Sequence, residues 1–349
     1  MDVYVCPWSP SLLNGKIFDN TSGNVASELW KEVAKECQRR GIEIQTIDRF
    51  RGEPEESVFV ALSRIPLSDS HWKHYVKMAT RIGFKRRILL HTEPPVIAPQ
   101  MFIFTERLNY YFTDIYYPFH LQKTYFAGKW IQKLLLNRNI TKIKYLPLTS
   151  YFDGIIPEFF YREKRSFAVM VAKNLFPLVP AYSLLGKRID IVNFFSKTSE
   201  FDLYGIGWNR FTLYPRYLDK RATSKHFKGP FIRREQRDLA ELYSRYDYGI
   251  CIENSNIPGW ITEKIFDFMA AGTVPVYFGS KEVYDFVPAD CFIDGSSFPD
   301  LDALYRYMIS NRERLPEYKL AIKRFMTSEQ YMSYTPKSFA KRLVDIFQS

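Results

Sequence analysis

This chain has little cysteine: four residues in 349, at Cys6, Cys37, Cys251 and Cys291, with no CxxC pair among them. That excludes a disulfide framework and a zinc ribbon, and leaves buried free thiols in a reducing compartment as the expectation. Histidine is also scarce, five in all and without ligand spacing, and no DxD follows an apolar strand. Long hydrophobic runs are missing, so no segment matches the roughly 20 apolar residues that cross a bilayer. The opening MDVYVCPW reads as a first strand, without the basic and apolar regions of a secretory leader. A cytoplasmic location, with peripheral membrane contact, is the expectation from these features. Acidic residues are outnumbered, 38 Asp and Glu against 49 Lys and Arg, a formal charge of +11. Such an excess attracts nucleic acid, acidic membrane faces and phosphorylated ligands alike. No zinc finger or RNA-binding signature is present, which excludes a nucleic-acid module. Internal repeats and low-complexity tracts are absent.

Hydrophobic residues make up 46% of the chain and charged residues 25%, the balance of a folded protein of two ordinary domains. Aromatics are frequent at 17%, either as core packing or as a surface that stacks on sugars. The run Arg216 to Arg237 carries eight Lys or Arg residues. It reads as a solvated face or mobile loop, or as a contact for lipid headgroups or a phosphorylated saccharide carrier.

Strand and helix patterns alternate from the first residues. Val3–Cys6 reads as a strand. A helix follows over about Ser27–Arg40, with Ala26, Trp30, Val33, Ala34 and Cys37 at helical spacing. Ile42–Ile47 and Ser57–Leu62 are strands, His71–Ile82 a helix, and Lys85–His91 leads into another strand. Phe126–Asn137 reads as a helix and Lys142–Leu148 as a short apolar segment before a boundary at Ser150–Ile156. Lys164–Val171 and Phe201–Gly205 are strands around a helix over about Ala181–Phe195, and Arg237–Arg245 is a further helix. Helical spacing recurs over Leu301–Met308, Tyr318–Met326 and Phe339–Phe347. This rhythm implies an open α/β fold. Gly205-Ile206-Gly207 does not complete GxGxxG, because Arg210 takes the last position, so a nicotinamide-binding domain is disfavoured.

Two places carry chemistry. HTEPP, His91 to Pro95, sets Glu93 just beyond a strand, with prolines that prevent the strand from continuing. A carboxylate there can take a proton from a hydroxyl, cap local amides or pair with an Arg. His91 reads as a second base, an acceptor ligand or a structural histidine. The second place is Tyr246–Gly279, YDYGICIENSNIPGWITEKIFDFMAAGTVPVYFG. Tyr248–Ile252 is an apolar strand broken by Glu253, Asn254 and Ser255. Thr262 caps a helix that begins with Glu263 and Lys264 and stops at Gly272, and Val274–Phe278 is the next strand. Lys264 beside exposed helix amides suits an anionic group such as a diphosphate.

ENS, then ITEK, then AAGTVPVYFG resembles the donor-binding signature of glycosyltransferase family 10, the α-1,3/α-1,4-fucosyltransferases. The resemblance is dense over about 35 residues and weaker through FDLYG and the segment around Glu93. It implies a GT-B-type fold with two Rossmann-like domains facing across a cleft: an acceptor domain over 1–155, a donor domain over 156–330, and a terminal helix over 331–349 returning to the first. It implies inverting transfer of L-fucose from GDP-fucose to the 3-OH or 4-OH of a GlcNAc- or Glc-containing glycan. Another GDP-sugar, or a noncatalytic glycan-binding protein of the same fold, are the rival readings.

By the same resemblance Glu93 is the general base, although the family's loop is less proline-dense and lacks His91. Arg188 and Lys264 are the diphosphate ligands, Glu263 lies by the ribose, and Glu253 and Asn254 shape the sugar-binding loop. Tyr248 would pack beneath the nucleotide. TERLNYYFTD, with Glu106, Arg107 and Tyr110, would line the acceptor side together with His91; ordinary packing is the alternative. No cofactor is required, and some relatives respond to manganese. The partners implied are GDP-fucose and an oligosaccharide or glycoconjugate acceptor. Animal members carry an amino-terminal Golgi anchor, so a trimmed Golgi enzyme stands beside the cytoplasmic reading.

Overall fold

The computed structural model describes residues 1–19, 26–63, 70–94, 97–98, 105–118, 143–147, 149–174, 182–198, 200–209, 218–231, 235 and 237–349. The helix expected over Phe126–Asn137 lies outside them. The chain divides into two compact units, the first made of 1–148, 257–259 and 336–349, the second of 149–256 and 260–335.

The first unit is built on β1 (Asp2–Cys6), β2 (Glu43–Thr46), β3 (Ser57–Ser63), β4 (Arg86–His91), β5 (Asp114–Tyr117) and β6 (Ile143–Tyr145). They form one parallel sheet in the order β2-β1-β3-β4-β5-β6. Helices α1 (Ala26–Arg39), α2 (Ser70–Ile82) and α3 (Thr105–Tyr111) lie in the connections. Alternation does the sorting. Val3, Val5, Val58, Val60, Leu62, Ile88 and Leu90 point to one face and share a core with Trp30, Val33 and Cys37 of α1.

The second unit carries β7 (Ser166–Val171), β8 (Phe201–Tyr204), β9 (Phe227–Gly229), β10 (Tyr246–Ile252), β11 (Val274–Phe278) and β12 (Ile293–Asp294). Its parallel order is β12-β11-β10-β7-β8-β9. That is the doubly wound order, whose direction reverses between β7 and β10. Its longer helices are α4 (Leu185–Phe195), α5 (Lys220–His226), α6 (Arg237–Tyr243), α7 (Glu263–Ala270), α8 (Leu301–Ser310) and α9 (Leu315–Met326). All seven residues of β10 are buried. Helices cover both faces of a parallel sheet, which explains why this strand reads as apolar rather than alternating. At the opposite edge from the strands' carboxyl ends, Lys164 Nζ donates to the carbonyls of Ser244 at 2.9 Å and Ala271 at 3.0 Å, just past the ends of α6 and α7.

The basic stretch, read as a solvated face or mobile loop, carries regular structure. Its described part contains α5 and β9, and β9 pairs with β8 at the sheet's edge. The last helix, α10 (Pro336–Gln348), belongs to the first unit. Its Phe339, Leu343, Val344 and Phe347 join the core around α1. Arg40 Nη1 meets Asp345 Oδ1 at 2.6 Å, and Arg86 donates to the carbonyls of Ile346 and Phe347 at the helix's end. A cation on the last carbonyls is favourable at a helix C-terminus. No helix of the described residues is long and apolar enough to cross a membrane.

Candidate active site

The crevice of a doubly wound sheet lies outside the carboxyl ends of the strands flanking the reversal, here β7 and β10. Beyond β7 come Ala172, Lys173 and Asn174; beyond β10 come Glu253, Asn254 and Ser255. The two side chains expected at a diphosphate, those of Arg188 and Lys264, are grouped around this point with Asn254, expected in the sugar-binding loop.

Arg188 stands on the first turn of α4. The residue is 3% exposed. Its Nη1 donates to Lys173 O at 2.8 Å, and its Nη2 to Asn254 Oδ1 at 3.1 Å. Nη2 also lies 3.4 Å from Glu253 O. The guanidinium therefore spans the switch point from one strand end to the other. Its Nε is buried with no hydrogen-bond partner among the described residues. Burial draws the group down to about 10, against the opposing charge of Glu253.

The loop after β10 is fastened from the other side. Leu184 N donates to Asn254 O at 3.1 Å, Asn256 N to Tyr182 O at 3.0 Å, and Ser255 Oγ to Tyr182 O at 3.1 Å. The β8 rim is tied to the β7 rim in the same way. Asn174 N donates to Ile206 O at 2.8 Å and Trp208 Nε1 to Ala172 O at 2.7 Å. Gly205 makes this approach feasible: its φ is +128°, and a Cβ there would sit 1.9 Å from Ala172 O.

Thr262 caps α7, accepting from Lys264 N at 3.5 Å. Glu253, fully buried, lies beneath this cap and accepts from Thr262 N at 2.9 Å and from Lys264 Nζ at 2.8 Å. Lys264 Nζ also donates to Thr262 Oγ1 at 2.7 Å. Burial alone would lower the lysine; the charges of Glu253 and Glu263 and the Glu253 hydrogen bond outweigh it and hold the ammonium above its ordinary range. Glu263 is half-buried at the first position of α7. The chemistry of this rim is two cations and an amide around Glu253, with Arg188 on its backbone carbonyl and Lys264 on its buried carboxylate, an arrangement suited to an anion.

Tyr248 does not reach this rim. The strand ends at Ile252, so Tyr248 lies roughly 13 Å short of the carboxyl end. It is 1% exposed, packs edge-on against Phe167, and donates to Met308 O at 2.8 Å. It is a core residue, and its place beneath a nucleotide is withdrawn.

In the first unit, Glu93 is half-buried two residues past β4. Of the three readings of His91, second base, acceptor ligand or structural histidine, its surroundings fit the structural one. It is 1% exposed, with Nδ1 3.1 Å from Ser63 O and its ring edge-on to Tyr117. Burial pushes it down to about 3, against weaker support from the Ser63 and Glu93 backbones. Tyr110 on α3 is 69% exposed. Glu106 and Arg107 belong to α3, and their side chains lie outside the described residues. Among the described residues no three His, Cys, Asp or Glu side chains converge as metal ligands.

The profile of "Glycosyltransferase family 10 (fucosyltransferase) C-term" matches residues 163–335, which takes in the whole switch-point rim. This segment is a glycosyltransferase family 10 region. Within the chain, 65 residues are 42% identical to an alpha-(1,4)-fucosyltransferase of Arabidopsis thaliana, covering 19% of the chain and 16% of that protein. Matches to the other curated relatives span 14% to 22% of their lengths. By structure, an α1,3-fucosyltransferase solved with GDP-fucose is similar over 100% of this chain and 90% of its own, with a TM-score of 0.51 at 14% identity. An α-glucosyltransferase solved with UDP and DNA is similar over 100% of both chains, with a TM-score of 0.58 at 11% identity. The family 10 region and these neighbours place the two parallel-sheet units in the GT-B-type fold.

Proposed function

We propose that this chain is a fucosyltransferase that uses GDP-fucose and transfers L-fucose, with inversion, to a glycan hydroxyl. The observation that carries the reading is the paired presentation of Arg188 and Lys264 at the switch point between β7 and β10, inside the family match. Similarity to an α1,3-fucosyltransferase solved with GDP-fucose and to an alpha-(1,4)-fucosyltransferase supports the choice of donor.

In the proposed reaction Glu93 accepts the proton of the acceptor hydroxyl as its oxygen attacks C1 of fucose. The bond from C1 to the diphosphate oxygen breaks, and GDP departs with the bonding electrons. Charge grows on that oxygen, where Lys264 and Arg188 stabilise the transition state more than the ground state. The β-linked donor becomes an α-linked product. Asn254 and Glu263 are assigned to the sugar-binding loop and the ribose, and the acceptor is assigned to a GlcNAc- or Glc-containing glycan at its 3-OH or 4-OH.

The test is a donor screen of the purified protein. GDP-fucose, GDP-mannose and UDP-sugars are offered with oligosaccharide acceptors, with and without manganese, and free nucleotide is scored. Acceptor-dependent release of GDP from GDP-fucose, with an α-anomeric signal in the product, is expected. Turnover confined to another donor overturns the assignment of fucose, and glycan binding with no turnover overturns the enzyme.

A further inference from the structure

The Glu253–Lys264 pair is asymmetric in a way that separates the two roles. Glu253 has no exposed surface, whereas the Lys264 side chain is 31% exposed. Both carboxylate oxygens are occupied. Oε1 accepts from Thr262 N at 2.9 Å and Thr262 Oγ1 at 2.8 Å, while Oε2 accepts from Lys264 Nζ at 2.8 Å. The Thr262 hydroxyl, having given its proton to Glu253, accepts from Lys264 Nζ at 2.7 Å. Two of the three ammonium protons are thus committed, and the third has no partner among the described residues.

We propose that Glu253 is a positioning residue: a built-in counter-ion that keeps Lys264 charged and aimed at the anion without itself touching the donor. This rests on the reading of the rim as the diphosphate site. It replaces the expectation that Glu253 shapes the sugar-binding loop. The incoming anion joins the pair through the uncommitted proton instead of displacing the carboxylate.

The groups around Lys264 determine what removing Glu253 does. Glu253 and Cys251 face it from β10 and Glu263 from its own helix, while Arg188 of α4 lies beyond Glu253. Glu253→Gln keeps the shape and an acceptor for Thr262 but deletes the largest favourable charge. Burial then pulls the ammonium down. Loss of the Thr262 cap alone would lower stability without moving that titration.

The experiment labels lysine at Cε and follows the Lys264 signal by NMR against pH without nucleotide, the Lys264→Arg variant identifying the resonance. The expected result is a midpoint lower by about one pH unit or more in Glu253→Gln. Glu253→Asp, one methylene shorter, serves as second variant and is expected to shift the midpoint by less. Unchanged midpoints overturn the positioning role. Calorimetry with GDP is the second arm: affinity in Glu253→Gln is expected to fall up to about tenfold for each pH unit above its lowered lysine midpoint, while the wild type holds over the same range. A shifted lysine midpoint with GDP affinity that ignores it overturns the diphosphate reading and leaves the pair intact.

Discussion

Arg188 and Asn254, 66 residues apart in the chain, are joined at 3.1 Å across the point where the second sheet reverses its strand order. The same guanidinium holds Lys173 O at 2.8 Å, so one side chain connects the ends of β7 and β10. It is a strut as well as a cation, and the two roles predict different losses.

Arg188→Ala leaves Lys173 O and Asn254 Oδ1 without this donor and empties the buried place of the guanidinium. Chemical denaturation is expected to show a loss of about 2–4 kcal/mol, with GDP affinity reduced in the folded fraction. Arg188→Lys is expected to recover little, because one ammonium cannot hold two acceptors in the guanidinium's fork geometry. Wild-type stability in Arg188→Ala contradicts the strut.

Lys264→Ala removes a diphosphate ligand and also strands the buried Glu253 carboxylate. GDP affinity is expected to weaken by roughly 1.5–3 kcal/mol. Folding stability should fall as well, toward the roughly 3–5 kcal/mol of a broken buried pair. Glu253→Gln combined with Lys264→Met should recover most of the stability and none of the affinity. Thermal melts and calorimetry on the three proteins measure the two losses separately.

Glu93→Gln should leave thermal stability near wild type and reduce turnover by about 10²–10⁴-fold at saturating donor and acceptor. The acidic limb of the wild-type pH–rate profile should disappear with it. A limb that survives in Glu93→Gln above pH 4 would not belong to His91, whose burial keeps it uncharged down to about pH 3.

His91 makes its own prediction. Its folded value, about 3, is below the unfolded value near 6.5. The unfolded chain therefore binds the extra proton first as pH falls, and stability present above pH 6.5 is lost progressively down to pH 3. The slope from this group is at most about 1.4 kcal/mol per pH unit. His91→Gln should flatten the denaturation midpoint across that window; an unaltered slope would show that His91 is charged in the fold.

Gly205→Ala is expected to abolish the soluble fold or to lower the melting temperature severely, because the added Cβ would lie 1.9 Å from a backbone oxygen at φ +128°. Gly41→Ala is the control: φ is +68° and nothing lies within 4 Å, so only strain of about 1 kcal/mol is expected.

The strand–loop–helix–strand unit from β10 to β11 was readable because each step is local. A buried apolar run, a hydroxyl cap at Thr262, a helical period and a glycine stop all act over a few residues. Tyr248 lies at the same distance from the carboxyl end at Ile252 whichever residue starts the strand, and its place beneath a nucleotide came from the resemblance and not from its position. His91 and Glu253 were legible as polar residues at strand ends but not as buried ones. Burial is a property of what packs over them, and Ser63, Tyr117 and Thr262 arrive from elsewhere in the chain. In the basic stretch, α5 and β9 escaped notice because charge masked a short helix and an edge strand of three residues.

Composition, period and capping by themselves determined that this chain alternates strands and helices, stays free of disulfides and places Lys264 at a helix start. Those outcomes depend on interactions within about one helical turn or one strand, which the order of residues specifies directly. Only the tertiary structure decided that β7 and β10 are neighbours at the reversal, that Arg188 crosses between them, and that α10 packs in the first unit. Strand order is set by which apolar faces bury one another across many residues, and no local pattern carries that information.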